Sequence, residues 1–253
     1  MHAPYELADM AADVLVQIRA RAPRVHCITN TVAQTYTANM LLAAGAVPSV
    51  TLSPEEIAAF VAGADALLVN LGTFDAERRA AIEVALQAAG AKGLPWVLDP
   101  VFIDRSADRA AFARELTTRR PTVVRLNQAE FEALRGGEVV DAQGFARSRQ
   151  LVVALTGATD IVADGSRAVS IANGDPLMRL VTAMGCAGSA LVATALAVGS
   201  DVLNATAAAL TALGVAGEVA AANAGGPGSF GTAIIDALYH LDRPTLRARA
   251  RVS

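Results

Sequence analysis

Thr122-Val-Val-Arg-Leu-Asn127 is an apolar run of strand length, and it leads without a break into Gln128-Ala-Glu-Phe-Glu-Ala-Leu134, which begins as a helix does. A strand followed at once by a helix is the repeating unit of parallel α/β proteins. Apolar runs without polar alternation suit strands that are buried on both faces of a sheet. This one segment therefore predicts a parallel sheet covered by helices.

The same alternation extends outward in both directions along the chain. Strand-type runs occur at 25–28, 48–52, 66–71, 95–99, 122–127 and 151–156. Helical patterns of crossover length lie between them, at 35–44, 54–62, 76–91 and 107–118. Beyond Thr156, Asp164-Gly165 separates two alternating runs as a hairpin turn does, which predicts an antiparallel edge. From Gly185 to about Leu241 the pattern is helical.

Composition limits the class of protein. The chain has 253 residues, of which 53% are hydrophobic and 18% charged, enough to bury one large core. Its net charge of −3 gives no bulk attraction to nucleic acid or to an anionic membrane, so a small-molecule ligand fits better. No linker or repeat is present, and we expect residues 1–253 to form a single domain.

Two cysteines without a Cys-x-x-Cys pattern indicate neither a disulfide framework nor a zinc site, and a reducing cytoplasm is expected. The first 22 residues contain Glu6, Asp9 and Asp13 and lack a signal-peptide pattern. Residues 180–200 carry no charged side chain, which fits either a membrane span or a helix through a soluble core. Alanine, glycine and threonine make this stretch a poor insertion signal, so the core helix is favoured.

Polar residues follow most of the strand-type runs. In open α/β sheets, ligands bind outside the carboxyl ends of the strands, so these residues are the first site candidates. They include Asn30, Gly72, Asp99, Arg125 and Thr156.

Asp99 and Glu130 could together hold a hydrated magnesium ion, because hard oxygen ligands from two strand ends suit its octahedral shell. The alternative for Glu130 is a capping box with Asn127 at the start of the following helix. The sequence alone leaves both open.

Arg125 lies on a strand among apolar neighbours, where a guanidinium needs an anionic partner. A phosphate group and a structural carboxylate both satisfy that need.

Val181-Thr-Ala-Met-Gly-Cys-Ala-Gly-Ser-Ala190 is the most informative segment for function, because a loop of small residues opens into a long apolar helix. Free backbone N–H groups there, at Ala183 and Gly185, would form an anion hole. The helix dipole is expected to lower the pKa of the Cys186 thiol and make it a proton acceptor. The alternative is a buried cysteine that acts as a small hydrophobic residue.

Two nucleotide-binding motifs are absent. The chain has no Gly-x-x-x-x-Gly-Lys-Ser/Thr segment, and Thr29-Asn-Thr-Val-Ala33 stands where a Gly-x-Gly-x-x-Gly loop would follow the first strand. The histidines His2, His26 and His240 are scattered, and His26 is expected to be a hydrogen-bonded core residue.

Taken together, these segments resemble the hydroxyethylthiazole kinases. The resemblance rests on ordered motifs, namely His26-Cys-Ile-Thr-Asn-Thr-Val32, Asn70-Leu-Gly-Thr73, Leu98-Asp-Pro-Val101, Arg125-x-Asn-x-x-Glu130, Thr156-Gly157, Gly185-Cys186 and Gly226-Pro-Gly-Ser-Phe230. It implies an α/β, ribokinase-like fold and transfer of a phosphoryl group from ATP, with Mg²⁺, to the hydroxyl of 4-methyl-5-(2-hydroxyethyl)thiazole in thiamin salvage. It further implies a homotrimer with thiazole pockets between subunits.

The resemblance also implies roles for single residues. Arg125 and Thr156 would contact ATP, and Asp99 and Glu130 would organise magnesium. Asn30, Val32 and Gly72 would line the thiazole pocket. Cys186 stands where related kinases carry an aspartate base.

Several features depart from the family pattern near the expected substrate and phosphates. Val50 replaces a methionine, Phe102 begins a segment that is usually glycine-rich, Leu126 replaces a glycine, and Ala183-Met184 replaces Gly-Thr. The crossover from Glu130 to Leu151 is also shorter than is typical. These departures leave two alternatives to thiazole phosphorylation. One is a ribokinase-like kinase of another small alcohol, and the other is a catalytically weak paralogue that binds nucleotide or thiazole.

Overall fold

The structure, a computed structural model, describes residues 4–253, so His2 lies outside the described residues. Its centre is an eight-stranded sheet in the order β2-β1-β3-β4-β5-β6-β7-β8. The first six strands are parallel, and the last two run antiparallel to their neighbours. This confirms the mostly parallel sheet with an antiparallel edge.

The strands fall where the apolar runs predict them, with small differences at their ends. They are β1 Arg24–Ile28, β2 Val47–Ser49, β3 Ala66–Asn70, β4 Trp96–Asp99, β5 Val123–Asn127, β6 Val152–Thr156, β7 Asp160–Ala163 and β8 Ala168–Ile171. The largest difference is β2, which ends three residues before the predicted end. It is the edge strand beside β1, so only one neighbour pairs with it.

Eleven helices connect and cover the strands in the described chain. They are α1 Pro4–Arg21, α2 Gln34–Ala44, α3 Ile57–Ala62, α4 Ala76–Lys92, α5 Ala107–Thr118, α6 Gln128–Arg135, α7 Ala142–Arg149, α8 Met184–Leu196, α9 Val202–Ala221, α10 Pro227–His240 and α11 Arg243–Arg249. Short 3-10 turns occur at Ile103–Arg105 and Pro176–Leu180.

Two hydrophobic cores lie on opposite faces of the sheet. Along β3, Ala66 and Leu68 belong to one core while Leu67 and Val69 belong to the other, as the two-residue period of a strand requires. Buried residues of α1, α2, α8, α9 and α10 pack in the first core, and those of α3 to α7 pack in the second. The result is three layers, with helices on both faces.

The uncharged stretch at 180–200 contains α8, whose 13 residues are buried except for Gly185. The neighbouring α9 has 20 residues and is long and apolar enough to cross a membrane, yet most of its residues are buried inside the fold. Both helices contribute to the first core, and their burial accounts for their apolar composition.

Parallel pairing aligns the polar ends of adjacent strands. The register places Asn70 beside Asp99 and Asn127 beside Thr156. Because all six parallel strands end at the same edge of the sheet, side chains that are far apart in sequence meet there.

Candidate active site

A cavity of about 610 Å³ opens at the carboxyl ends of the parallel strands. All ten residues that the sequence singled out for a site line it: Asn30, Val32, Gly72, Asp99, Arg125, Glu130, Thr156, Ala183, Gly185 and Cys186. They come from five strand ends, from the first turn of α6 and from the start of α8. The structure therefore brings the predicted residues together around one space.

Asn70, which ends β3, connects the polar groups at the bottom of this cavity. Its Nδ2 donates to Oδ2 of Asp99 at 2.8 Å and to Sγ of Cys186 at 3.3 Å. Its Oδ1 accepts from the backbone N–H of Gly72 at 3.0 Å and from Nδ2 of Asn30 at 3.2 Å. Sequence reasoning gave Asn70 no role, although its place directly after a buried strand was a usable signal.

Gly72 is required by its contact with Asn30. A Cβ at this position would lie 2.6 Å from the Asn30 Cβ and 2.8 Å from its Nδ2, distances that real side chains do not show. A larger residue would push Asn30 away from Asn70 and Cys186. Asn30 itself is buried, and its Oδ1 has no partner among the described residues.

The expected lowering of the Cys186 pKa is wrong. The residue does lie in the first turn of α8, and its Sγ accepts from the Nδ2 atoms of Asn30 and Asn70. Burial nevertheless raises the thiol pKa to about 11, and the nearby Asp99 carboxylate adds to the rise. The loss of water outweighs the dipole and the two hydrogen bonds, so the neutral thiol is the form present at pH 7.

Asp99 is buried, and both of its hydrogen bonds are accepted by one oxygen, Oδ2. The donors are Nδ2 of Asn70 and Oγ of Ser189, each at 2.8 Å. Burial raises the carboxyl pKa to about 6, with a further rise from Glu130 and opposing effects from Arg125 and the two donors. Ser189, on the second turn of α8, was missed because helix spacing alone does not show which carboxylate it reaches.

Glu130 forms the capping box that the sequence offered as one alternative. Its Oε2 accepts from the Asn127 N–H at 2.9 Å, and the Asn127 Oδ1 accepts from the Glu130 N–H at 3.0 Å. Its other oxygen, Oε1, accepts from the backbone N–H of Phe102 at 2.9 Å. Glu130 thereby joins the turn after β4 to the start of α6.

Arg125 reaches from β5 to the start of α8. Its Nη1 donates to the Gly185 carbonyl at 2.9 Å and to Ser189 Oγ at 3.4 Å, while its Nε has no partner among the described residues. A Cβ at Gly188 would lie 3.2 Å from Nη2 of Arg125 and 2.9 Å from Leu213, so this glycine makes room for the guanidinium. Within the described chain, the structural ion pair offered as an alternative for Arg125 does not form.

The start of α8 presents unpaired backbone donors. Met184 N donates to Val181 O at 3.3 Å and Ala187 N to Ala183 O at 2.9 Å, whereas the N–H groups of Gly185 and Cys186 make no hydrogen bond to a described residue. Such groups at a helix N-terminus are suited to an anion.

Three residues with positive φ line the cavity. Thr73, Phe102 and Ala183 line it and have φ values of +48°, +57° and +73°, a region that favours glycine. Phe102 and Ala183 are two of the departures from the family pattern. Met184 also lines the cavity, but Val50 does not and instead packs against the first core.

The structure also gives the positions of Thr156 and His26. Thr156 ends β6, and its Oγ1 donates to Leu126 O at 3.3 Å. His26 is a buried core residue with Nδ1 2.8 Å from Ser49 Oγ, and the described residues contain no cluster of His, Cys, Asp and Glu that could hold a metal ion by itself.

Comparison with known proteins gives consistent results. A model described as the hydroxyethylthiazole kinase family matches residues 15–244. The chain is 44% identical over 252 residues to a protein named probable hydroxyethylthiazole kinase from Agrobacterium fabrum (strain C58 / ATCC 33970), covering 100% of this chain and 98% of the relative.

Comparison with solved structures gives the same family and the same fold. A hydroxyethylthiazole kinase protein from Pyrococcus horikoshii OT3 superimposes with a TM-score of 0.93 at 35% identity, covering 97% of this chain and 98% of the other. A ribokinase-like superfamily protein from Enterococcus faecalis V583 gives a TM-score of 0.70 at 14% identity, covering 92% and 95%, and shares the fold.

Proposed function

The chain belongs to the hydroxyethylthiazole kinase family, and from that membership we propose that it transfers the terminal phosphoryl group of ATP to the hydroxyl of 4-methyl-5-(2-hydroxyethyl)thiazole in thiamin salvage. One observation carries the proposal. The unpaired N–H groups of Gly185 and Cys186 open into the same cavity as Asp99 and Arg125. Phosphoryl transfer needs such a set of donors more than it needs covalent chemistry.

The start of α8 would hold the transferred phosphoryl group. Backbone N–H groups fixed by a helix need no reorganisation when charge develops on the phosphate oxygens. Ala183 contributes by holding the left-handed turn that exposes these groups. Arg125, which donates to Gly185 O, would neutralise phosphate charge while keeping the loop in place. Thr156 would contact the nucleotide from the end of β6.

Cys186 would act as a neutral thiol. With a pKa of about 11, its sulfur is not a thiolate that removes a proton in advance. Held by the amides of Asn30 and Asn70, the thiol can position the substrate hydroxyl, whose proton leaves late in the transfer to an oxygen of the phosphoryl group. Positioning of this kind accounts for a large part of the rate of bimolecular reactions in enzymes.

The thiazole ring would lie beside Asn30, Val32 and Gly72, at the ends of β1 and β3. Val32 is 72% exposed in the single chain. An apolar side chain left in water at the edge of a cavity suits a position that another subunit covers. The family resemblance implies a homotrimer with its thiazole pockets between subunits, and we propose that assembly, which the exposure of Val32 supports. We further propose that each subunit is one kinase domain that acts in the cytoplasm and binds neither nucleic acid nor a membrane.

The residues present fit a magnesium ion. Oδ1 of Asp99 accepts no hydrogen bond from a described residue, so it is available as a hard oxygen ligand beside phosphate oxygens and water. Both oxygens of Glu130 already accept from backbone N–H groups, which favours a contact through water for this residue. Asp99 and Glu130 would hold the ion, and the ion would neutralise charge on the phosphates of ATP.

The test is a direct assay of phosphoryl transfer. The chain, ATP and Mg²⁺ are incubated with hydroxyethylthiazole, and in parallel with pyridoxal, hydroxymethylpyrimidine and simple sugars, and the phosphate ester is followed by ³¹P NMR. We expect product with hydroxyethylthiazole at a kcat/KM at least tenfold above the other alcohols. A higher kcat/KM with another alcohol would show that this alcohol is the substrate. If no alcohol gave an ester, the remaining alternative would be a catalytically weak paralogue that binds nucleotide or thiazole.

A further inference from the structure

Arg109 is a cationic side chain of the cavity wall that the sequence did not single out. It lies in the first turn of α5, where its backbone N–H donates to the Oγ of the N-cap residue Ser106. Its half-buried side chain lines the cavity together with Arg125. One of its donors is used, since Nη1 donates to the Val101 carbonyl at 2.8 Å.

The remaining donors of Arg109 have no anionic partner. Nine other arginines of the described chain form ion pairs with Asp or Glu: Arg78, Arg105, Arg119, Arg135, Arg149, Arg167, Arg243, Arg247 and Arg251. Arg109 forms none there, and its buried Nε has no partner among the described residues. Burial lowers the pKa of this guanidinium, which is the direction expected for a desolvated cation that no anion faces.

Its surroundings make an unpaired positive charge still less favourable. The first turn of a helix is its positive end, so a cation there is repelled by the helix dipole. The only aromatic contact of the guanidinium among the described residues is weak, since its carbon lies 5.9 Å from the centre of the Phe74 ring, whereas that of Arg79 lies 4.5 Å from the same centre. An anion entering the cavity would relieve these costs.

The Arg109 side chain is also held in place. The turn after β4 is fixed from one side by the Arg109 bond to Val101 and from the other by the Glu130 bond to Phe102. This turn directly follows Asp99, the residue best placed to meet the phosphates. Arg109 thus reaches that region from α5, across the turn after β4, whereas Arg125 reaches it from β5.

We infer that Arg109 is a second phosphate-binding arginine, which contacts the terminal phosphates of the nucleotide opposite Arg125. The inference rests on the proposed function for the nucleotide itself. A planar guanidinium with free donors suits the oxygens of a phosphate chain. The nucleoside part of the nucleotide takes no part in this contact.

The experiment compares Arg109→Met with the matched variant Arg79→Met by calorimetric titration of the whole chain in Mg²⁺ buffer. Arg79 packs on the same Phe74 ring but does not line the cavity. We expect Arg109→Met to weaken ATP binding at least tenfold and AMP binding less than twofold. Arg79→Met should change neither, and Arg109→Lys should recover part of the ATP affinity.

Three results would overturn the inference. These are unchanged ATP affinity in Arg109→Met, equal losses for ATP and AMP, and an equal loss in Arg79→Met. If Arg109→Met does not fold, Arg109→Lys decides, because full ATP affinity without the guanidinium fork excludes the contact. Failure of the parent chain to bind ATP is a different outcome, which removes the proposed function and this inference with it.

Discussion

Asn70 and Asp99 lie at paired positions of β3 and β4, and Nδ2 of Asn70 donates to Oδ2 of Asp99 at 2.8 Å. The same Nδ2 lies 3.3 Å from Sγ of Cys186. One amide therefore holds both a carboxylate and a thiol of the cavity wall. A shift of the Asp99 or the Cys186 side chain would break its hydrogen bond to Asn70.

We predict that Asn70→Ala lowers kcat/KM at least tenfold, because a hydrogen bond to a charged group in a closed site is worth roughly 1.5–3 kcal/mol. Ser189→Ala should cause a smaller loss, since it removes one bond to Asp99 and leaves Cys186 in place. Steady-state kinetics of purified variants measure both effects.

Thr194→Val is the control for these variants. Thr194 is buried on the same helix as Ser189, but its Oγ1 donates to Ala190 O within that helix. Its kcat/KM should match that of the parent chain. A loss equal to that of Asn70→Ala would show that packing of α8, rather than the amide, governs activity.

Much of this site could be predicted from the sequence, because the rule it relies on is local. A polar residue directly after an apolar run lies at the carboxyl end of a strand, and parallel strands end at one edge. That rule alone places Asn30, Gly72, Asp99 and Thr156 around the cavity. The parallel strands and the antiparallel edge follow from equally local patterns, whereas the order that puts β1 between β2 and β3 was not predicted.

What the sequence did not reveal depends on contacts between distant segments. The pKa of Cys186 was predicted from its position on a helix, but burial and the charge of Asp99 decide its direction. The partners of Asn70, Ser189 and Arg109 are likewise set by packing. Glu130 combines both cases, because its capping box is local and its bond to Phe102 is not.

Arg125→Ala should raise the KM for ATP about 30-fold, which corresponds to the loss of roughly 2 kcal/mol from a charge-assisted contact. The variant also removes the donor to Gly185 O, so the start of α8 loses a support. Arg147→Ala is the matched control, because Arg147 likewise donates to a glycine carbonyl, that of Gly165, but does not line the cavity. Equal KM values for the two variants would remove Arg125 from the nucleotide site.

His26 should make stability depend on pH. Burial lowers its pKa to about 4 from the usual 6.5, so between these values the unfolded chain binds a proton that the folded chain does not. Stability is therefore lost as the pH falls from 6.5 to 4, by an amount on the order of 3 kcal/mol, and does not fall further below 4 for this group.

Thermal unfolding of the parent chain and His26→Asn at several pH values measures this effect. The asparagine amide can retain the bond to Ser49 Oγ, but it does not titrate. We expect the fall in Tm from pH 6.5 to pH 5 to be smaller in His26→Asn than in the parent. His240→Gln, at an exposed position, serves as the control and should keep the parent's slope. Parallel slopes for all three proteins would contradict the assignment to His26.

Cys186 should resist alkylation in the folded chain and still be needed for turnover. With a pKa of about 11, about one thiol in a thousand is ionised at pH 8, and only the thiolate reacts with iodoacetamide. Cys186→Ser should slow turnover, whereas Cys186→Asp should retain more activity because a carboxylate oxygen accepts the hydroxyl proton more readily. Cys27→Ala is the control, since Cys27 is buried in β1 and does not line the cavity. Rapid alkylation at pH 8 would mean that the thiol is ionised, and full activity in both Cys186 variants would reduce the residue to a packing role.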